Sequence, residues 1–481
     1  MIGDPQPPAA RRFGRSQGVT LVVLVALLII SGAAAFIANR SQSNSRQTST
    51  ASTQTPHGPT QTPVTFAEGN DWPQYRYDVV GTGVNPEKTL TSANVAGLHA
   101  RWTVKKPQGF YTTPAIVDGV VYAPSGLSLY AIDLLTGATR WQFDGVAERR
   151  GGIHSSVAID QKRKLAFYGT PETRLYAIDI TTGTERWVVQ LQSPTTGAFI
   201  WSSPLVVNDR LYVGLASQGD NPCIRGSVFA IDPDTGKTIW RHYTAPAGVL
   251  GGGVWSSLTA DPESQTIVAT TANPCHGVVY PEEEAFLGLD WNTGATRWSY
   301  SVMPFDNNDY GFGEGAVIYT YQGQKYMAAG DKFGKIYAVS PPTSGSTPTL
   351  AWSRRLTIAD NGKNGGGIFQ PATFTQGLVI VGAGYFPAEV PNCFGNLSAL
   401  RPDTGELVWR TCTADKPIGP AAATGDIIFV SQDGRIVAYK ALTGEKVWSA
   451  KHVGTSWGGI AISHGIVVVP TVSGTLDSYS L

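Results

Sequence analysis

The sequence predicts an all-β fold, an eight-bladed β-propeller, and three observations predict it. The first is Thr-Gly followed four residues after the Gly by Trp, repeated six times: Thr136-Gly137 with Trp141, Thr182-Gly183 with Trp187, Thr235-Gly236 with Trp240, Thr293-Gly294 with Trp298, Thr404-Gly405 with Trp409 and Thr443-Gly444 with Trp448. The second is a hydrophobic strand before each turn, such as Leu129-Tyr130-Ala131-Ile132-Asp133 or Ile436-Val437-Ala438-Tyr439-Lys440. The third is the spacing: units of roughly 40 to 50 residues holding four short strands each are the mark of propeller blades.

Within a unit, the Thr-Gly supplies a tight turn. The Trp that it aims has a flat face to stack on the next blade and an indole N–H that needs an acceptor once buried. Two further tryptophans extend the series. Trp352 ends a diverged unit after Ile336-Tyr337-Ala338-Val339, and Trp102 stands in Leu98-His99-Ala100-Arg101-Trp102 with no turn before it. The sequence runs out at Leu476-Asp477-Ser478-Tyr479-Ser480-Leu481, where the next turn is due. The strand carrying Trp102 is therefore expected to complete the last blade, which brings the count to eight and leaves no exposed sheet edge. Each blade should open with an inner strand near a Pro, as in Thr113-Pro114-Ala115-Ile116-Val117. The propeller is assigned to 71–481 as one domain.

Lys plus Arg and Asp plus Glu both total 36, so the formal net charge is zero. With no basic stripe, nucleic acid is not an expected partner. Residues 19–38 carry no charge, and an apolar helix of about 20 residues crosses a bilayer. Arg11, Arg12 and Arg15 precede it, which leaves 1–18 as a cytoplasmic tail and the propeller outside the cytoplasm, at the cell surface or in the periplasm. Two readings of 19–38 stay open: an uncleaved anchor, which we favour, and a signal peptide cleaved after Ala33-Ala34-Ala35. Residues 39–70, rich in Ser, Thr, Gln and Pro, read as a flexible linker.

All four cysteines fall in the exported part, where disulfides persist. Cys393 and Cys412 flank the Pro402-Asp403-Thr404-Gly405 turn almost symmetrically, so they should face one another across one hairpin. That leaves Cys223 and Cys275, each in an Asn-Pro-Cys tripeptide between the second and third strands of consecutive blades. Four buried thiols are the alternative. There is no Cys-x-x-Cys-His, so covalently attached haem is not expected.

Loops from every blade converge at one face of a propeller, and polar groups there are the first place to look for a site. The long loops here contain Ser217-Gln218-Gly219-Asp220-Asn221-Pro222-Cys223, Thr270-Thr271-Ala272-Asn273-Pro274-Cys275 and Pro304-Phe305-Asp306-Asn307-Asn308-Asp309-Tyr310-Gly311. Carboxylate and amide oxygens on neighbouring loops are ligands for hard cations; the same residue types are also ordinary turn formers.

The Ala-x-Asp-x-x-Thr-Gly-x-x-x-Trp repeat resembles the tryptophan-docking motif of eight-bladed quinoprotein dehydrogenases, which bind pyrroloquinoline quinone (PQQ), and the resemblance runs over about 72–481. It implies a set of roles in chain order. Gly251-Gly252-Gly253-Val254-Trp255 is similar to the stretch whose Trp lies under the quinone rings. Asn273 matches a calcium-binding Asn. Asn308-Asp309-Tyr310 resembles the segment whose Asp is the catalytic base, which also binds the metal. Asp331-Lys332-Phe333-Gly334 resembles the segment whose cation contacts the quinone oxygens, and Arg150-Gly151 a pair that contacts the cofactor. The sequence also departs from the family: Asn221, with Asp220 beside it, stands where a calcium-binding Glu is usual, Tyr111 where another Glu is usual, and no vicinal cysteine pair is present.

The resemblance implies a membrane-anchored quinoprotein oxidoreductase that uses PQQ and calcium, oxidises an alcohol or polyol, and passes electrons to a separate acceptor. Asp309 would take the hydroxyl proton and Lys332 would stabilise developing negative charge. The rival expectation, from the same repeat, is a cofactor-free scaffold for protein–protein interaction like the outer-membrane assembly factor.

Overall fold

The computed structural model describes residues 69–481 except 146–151, 220–221, 276, 304–307, 343–346, 361–364, 390 and 433. Among the described residues no helix is long and apolar enough to cross a membrane; the apolar stretch at 19–38 lies outside them, as do the tail at 1–18 and most of the 39–70 linker.

The strands assemble into eight antiparallel sheets of four main strands. Blade 1 runs outward from the axis through Ala115–Val117, Val120–Ser125, Ser128–Asp133 and Thr139–Asp144. The inner strands of blades 2 to 8 are Ala158–Asp160, Leu205–Val207, Thr259–Asp261, Val317–Tyr321, Thr373–Thr375, Ala422–Thr424 and Ala461–Ser463. Blade 8 takes its outermost strand, His99–Lys105, from the N-terminal end of the domain: Trp102 pairs with Ser478 and His99 with Ser480. The expected closure is therefore present. The core is distributed between blades rather than gathered at the axis; Ala115, Tyr122 and Leu129 of blade 1 pack with Val157, Ala166 and Tyr176 of blade 2.

The repeat motif acts as a joint between blades. In blade 1, Asp133 Oδ1 accepts the N–H groups of Leu135 at 3.1 Å and Thr136 at 2.9 Å, while Gly137 N–H returns to Asp133 O at 2.9 Å. Gly137 sits at φ +74°, and a Cβ there would lie 2.9 Å from the Trp102 indole of the preceding blade. Gly therefore meets two demands, a left-handed backbone and a ring pressed against it. The indole N–H groups reach across the joint: Trp102 to Leu134 O at 2.8 Å, Trp141 to Ile180 O at 3.0 Å, Trp187 to Pro233 O at 3.0 Å and Trp352 to Pro402 O at 2.8 Å. Every outer strand also shifts register beside its Trp, as between Ala131 and Ile132 opposite Trp141. Such bulges re-aim a side chain, which accounts for an indole pointing toward the neighbouring blade.

A second feature was not foreseen from the sequence. The segment from Trp72 to Asn85 straps the turn-side face of the ring and bonds to all eight blades. Trp72 exchanges backbone hydrogen bonds with Ile116, Pro73 O accepts from Ile159, Val79 O from Ala260, Val80 O from Ile318 and Gly83 O from Ala423, all between 2.7 and 2.9 Å. Gln74 Oε1 accepts from Val206 N–H at 3.4 Å. Arg76 donates to Ala372 O at 2.8 Å and Ala421 O at 2.6 Å, and Asn85 Nδ2 to Ile462 O at 2.9 Å.

Candidate active site

The loops on the face opposite the strap follow one rule that positions the axis-lining side chains. The residue four places before each inner strand is Tyr111, His154, Trp201, Trp255, Gly313, Phe369, Ile418 and Trp457 in blades 1 to 8. Seven of these line a single axial well of about 340 Å³, forming an aromatic collar. His154 lies 4.4 Å from Trp201 and 5.1 Å from Tyr111, ring centre to ring centre. Its burial among rings pushes the imidazole pKa down to about 4, because desolvation disfavours the cation.

Trp255 also borders a second, adjoining chamber of about 190 Å³. Asn273, Asp309 and Lys332 line that chamber with it, so the four residues singled out in the sequence do converge. They come from two neighbouring blades. Trp255 and Asp309 lie on the loops leading into blades 4 and 5; Asn273 and Lys332 lie between the second and third strands of the same blades. Backbone hydrogen bonds lock each pair of loops: Ala272 N–H to Gly253 O at 2.8 Å, Gly252 N–H to Asn273 O at 3.2 Å and Lys332 N–H to Gly311 O at 3.0 Å. Gly251, at φ +132°, passes so close to Pro274 that a Cβ would fall 2.8 Å from Pro274 Cα, which is why this loop needs glycine.

The Lys332 ammonium pairs with the Asp309 carboxylate and lies 5.4 Å from the centre of the Trp255 ring, in cation–π range. Lys332 is 10% exposed and Asp309 53%, so the carboxylate is the more open partner and the ammonium is held beneath it. The Lys332 turn is anchored by Asp331, which accepts from Lys335 N–H at 2.7 Å and the Tyr337 hydroxyl at 2.9 Å. Burial raises the Asp331 carboxyl to about 6.

Asn273 Oδ1 is buried and has no hydrogen-bond partner among the described residues, an expensive state for an amide oxygen unless a ligand completes it. An aromatic face, an ammonium and an unspent amide oxygen around one chamber suit a flat, oxygen-rich guest. For a hard cation, Asn273 and Asp309 supply two oxygen donors; among the described residues no cluster of three or more His, Cys, Asp or Glu side chains gathers. Arg150, Asp220 and Asn221 lie outside the described residues. Both disulfides are formed as paired from the sequence, Cys223 with Cys275 and Cys393 with Cys412. The first ties blade 3 to blade 4, and both of its cysteines line the chamber.

Sequence reasoning missed the rest of the collar and the foot of the well. Tyr111 was read only as a departure from a family Glu; His154, Trp201, Phe369 and Trp457 were not read at all. Counting back from each inner strand would have found them. Tyr75 on the strap and Glu314 close the foot, with the Tyr75 hydroxyl donating to Glu314 Oε2 at 3.1 Å. Burial there raises the Glu314 carboxyl to about 7.

With this geometry in view, a sequence profile described as the glucose/ethanol/alcohol dehydrogenase β-propeller domain matches residues 72–340, more than half of the chain. The chain belongs to that family. A profile described as outer membrane protein assembly factor BamB matches residues 393–480. Among curated proteins it is 24% identical over 338 residues to a polyvinylalcohol dehydrogenase of Pseudomonas sp, with 61% of this chain and 52% of that protein covered. It is 25% identical over 492 residues to the quinohemoprotein alcohol dehydrogenase of Comamonas testosteroni, covering 79% and 69%. The chain thus spans about half the length of the first of these relatives. Its fold is similar to that of the Pseudomonas putida quinohemoprotein alcohol dehydrogenase ADHIIG, with a TM-score of 0.72, 21% identity and coverage of 86% and 80%. It is also similar to that of BamB from Moraxella catarrhalis, with a TM-score of 0.58, 18% identity and coverage of 80% and 100%.

Proposed function

We propose that the chain is a quinoprotein oxidoreductase that oxidises an alcohol or polyol in the chamber between blades 4 and 5. The observation that carries this reading is the convergence of Trp255, Asn273, Asp309 and Lys332 on one chamber. When bound, PQQ would supply the two-electron acceptor that the oxidation needs. Trp255 would hold the ring system by its face, and Lys332 would place a positive charge beside the quinone oxygens, where negative charge develops. Asp309 would take the hydroxyl proton, a task that asks for a carboxylate within hydrogen-bond reach. Calcium would be held by the oxygens of Asn273 and Asp309; the family resemblance adds Asp220 and Asn221 as ligands and Arg150 as a cofactor contact, all three outside the described residues. The electrons leave to a separate acceptor, and residues 19–38 anchor the propeller outside the cytoplasm.

The test is titration of the purified chain with PQQ, with and without Ca²⁺, followed by absorbance, then dye reduction over a panel of alcohols. A bound-quinone spectrum and alcohol-dependent reduction are expected. Absence of binding at tens of micromolar cofactor overturns the enzyme reading and leaves the scaffold, which the match of residues 393–480 to the assembly-factor profile would then favour.

A further inference from the structure

Blade 3 carries a pair of arginines that no carboxylate among the described residues neutralises. In blades 1, 2 and 4 an arginine stands just before the docking Trp and pairs with the turn aspartate: Arg140 with Asp133 at 2.7 Å, Arg186 with Asp179 at 3.2 Å and Arg297 with Asp290 at 2.5 Å. Blade 3 has Ile239 in that place, and its arginine, Arg241, follows Trp240. Two residues along a strand is about 7 Å, which carries Arg241 away from the turn and toward the chamber-side rim. There it meets Arg225, which precedes the third strand, Ser227–Ile231. The two guanidiniums lie against one ring, Arg225 at 3.9 Å and Arg241 at 4.2 Å from the centre of Tyr243, and Arg241 also covers Phe229 at 4.6 Å. Their hydrogen bonds go to neutral oxygens: Arg225 Nε to Ala245 O at 2.7 Å and Arg241 Nη2 to Gln192 Oε1 at 2.5 Å. Arg241 Nε is buried and has no partner among the described residues; the same is true of the hydroxyl of Ser227, which faces Tyr243 across the ladder. Glu282 is committed to His242, which sits between Arg241 and Tyr243 and so points to the other face of the strand.

Blade 6 repeats the arrangement with its charge closed. Arg410 follows Trp409 and faces Ser398 in the register where Arg241 faces Phe229. It lies 5.4 Å from the Phe386 ring, donates from Nε to Ser398 Oγ at 2.8 Å and pairs with the Glu389 carboxylate. Blade 3 offers a second arginine instead of a carboxylate. Like charges held side by side repel, and burial pulls the Arg241 guanidinium below its ordinary pKa, with the Arg225 charge adding to the shift. An anion between the two removes that cost. We propose that this rim of blade 3 is a binding site for a phosphate dianion, either inorganic phosphate or the terminal group of a phosphomonoester, held by the terminal nitrogens of Arg225 and Arg241 beside the Tyr243 ring. Arg225, Arg241 and Tyr243 line neither the chamber nor the well, so the site goes beyond the quinoprotein reading and does not rest on it.

The chemistry of the pair selects among anions. Guanidinium forks match the oxygens of phosphate two at a time, and stacking on a ring holds the forks ready for it. A phosphomonoester carries close to two negative charges at neutral pH, enough to neutralise both arginines. A monocarboxylate neutralises one and leaves the other. A lipid phosphodiester also brings a single charge. A nucleic-acid backbone calls for a longer basic track, which a chain of zero formal net charge and isolated arginine pairs does not present.

The experiment uses the full chain in phosphate-free buffer at low salt. The probes are inorganic phosphate and glycerol 3-phosphate, with acetate as the comparison, and vesicles of phosphatidylglycerol beside vesicles of phosphatidylcholine. Binding is followed by calorimetry and by the shift in melting temperature. Both phosphates should bind at least tenfold tighter than acetate and raise the melting temperature, and the two kinds of vesicle should bind alike. Arg225→Gln should weaken phosphate binding at least tenfold with an unchanged melting temperature in the absence of ligand. Gln192→Glu gives Arg241 the carboxylate that Glu389 gives Arg410, so it should also weaken phosphate binding at least tenfold while raising the melting temperature; a lost site in a more stable fold is not a folding defect. Arg410→Gln should leave phosphate affinity within twofold. Equal binding of phosphate and acetate, no binding at millimolar phosphate, affinity indifferent to Arg225→Gln and Gln192→Glu, or capture by phosphatidylglycerol vesicles in preference to free phosphate overturns the assignment. Each of these outcomes is read without PQQ, so failure of the quinone titration leaves the result standing.

Discussion

The Lys332 ammonium rests against the Asp309 carboxylate, so the candidate base and the candidate electrophile neutralise one another on two loops of the same blade. The carboxylate is thereby held in place by a cation that also lies against the Trp255 ring. Asp309→Asn should leave quinone binding within about twofold and lower kcat by ~10²–10⁴. Lys332→Met should weaken quinone binding as well as turnover. Quinone titration followed by steady-state kinetics on the reconstituted variants checks both.

The inter-blade disulfide holds loops that line the chamber, whereas the blade 6 disulfide staples a hairpin. Replacing Cys223 and Cys275 by Ser should cost ~2–4 kcal/mol of stability and weaken quinone binding about tenfold. Replacing Cys393 and Cys412 should cost stability alone. Denaturant unfolding beside quinone titration distinguishes the two.

The joint between blades is testable at Gly236, which lies at φ +72° with a would-be Cβ 2.8 Å from the Trp187 ring. Gly236→Ala combines a left-handed backbone with a ring contact and should cost ~1–3 kcal/mol. Trp187→Phe leaves Pro233 O without its donor and should cost ~1–3 kcal/mol. Thermal unfolding measures both.

Two buried groups give opposite pH dependences. His154 titrates lower in the fold than in the unfolded chain, so between its ordinary pKa and about 4 the unfolded state binds more protons and stability falls as pH falls. Glu314 titrates higher in the fold, near 7. Its contribution therefore declines as pH rises from the ordinary carboxylate range to about 7. His154→Phe should flatten the acid limb, and Glu314→Gln, which still accepts from Tyr75, should raise stability at pH 8 relative to pH 5. Melting temperatures of the two variants across pH 4–9 check the signs.

The ring was legible because Gly137, Gly183 and their equivalents have one job, admitting the preceding indole, and a job repeated at fixed spacing leaves a pattern. Blade 5 was harder to read since Pro341 and its neighbours replace the Thr-Gly turn, yet Trp352 keeps its place. The chamber was legible through Trp255, Asn273, Asp309 and Lys332 by their order along the chain. The strap was not, because its bonds to eight blades run mostly through backbone atoms, which any side-chain sequence can supply. Glu314 looked like an ordinary loop acid; only the strap's Tyr75 and the closing ring make it an interior one.

The pairing of His99 with Ser480 has a bearing on how the molecule is made. Consecutive blades can form as their residues leave the ribosome, but the final sheet stays one strand short until the first and last portions of the domain find each other. That late, long-range search has the high loop entropy that slows folding. Until it ends, blade 8 presents a raw edge on which a second copy or a chaperone can act.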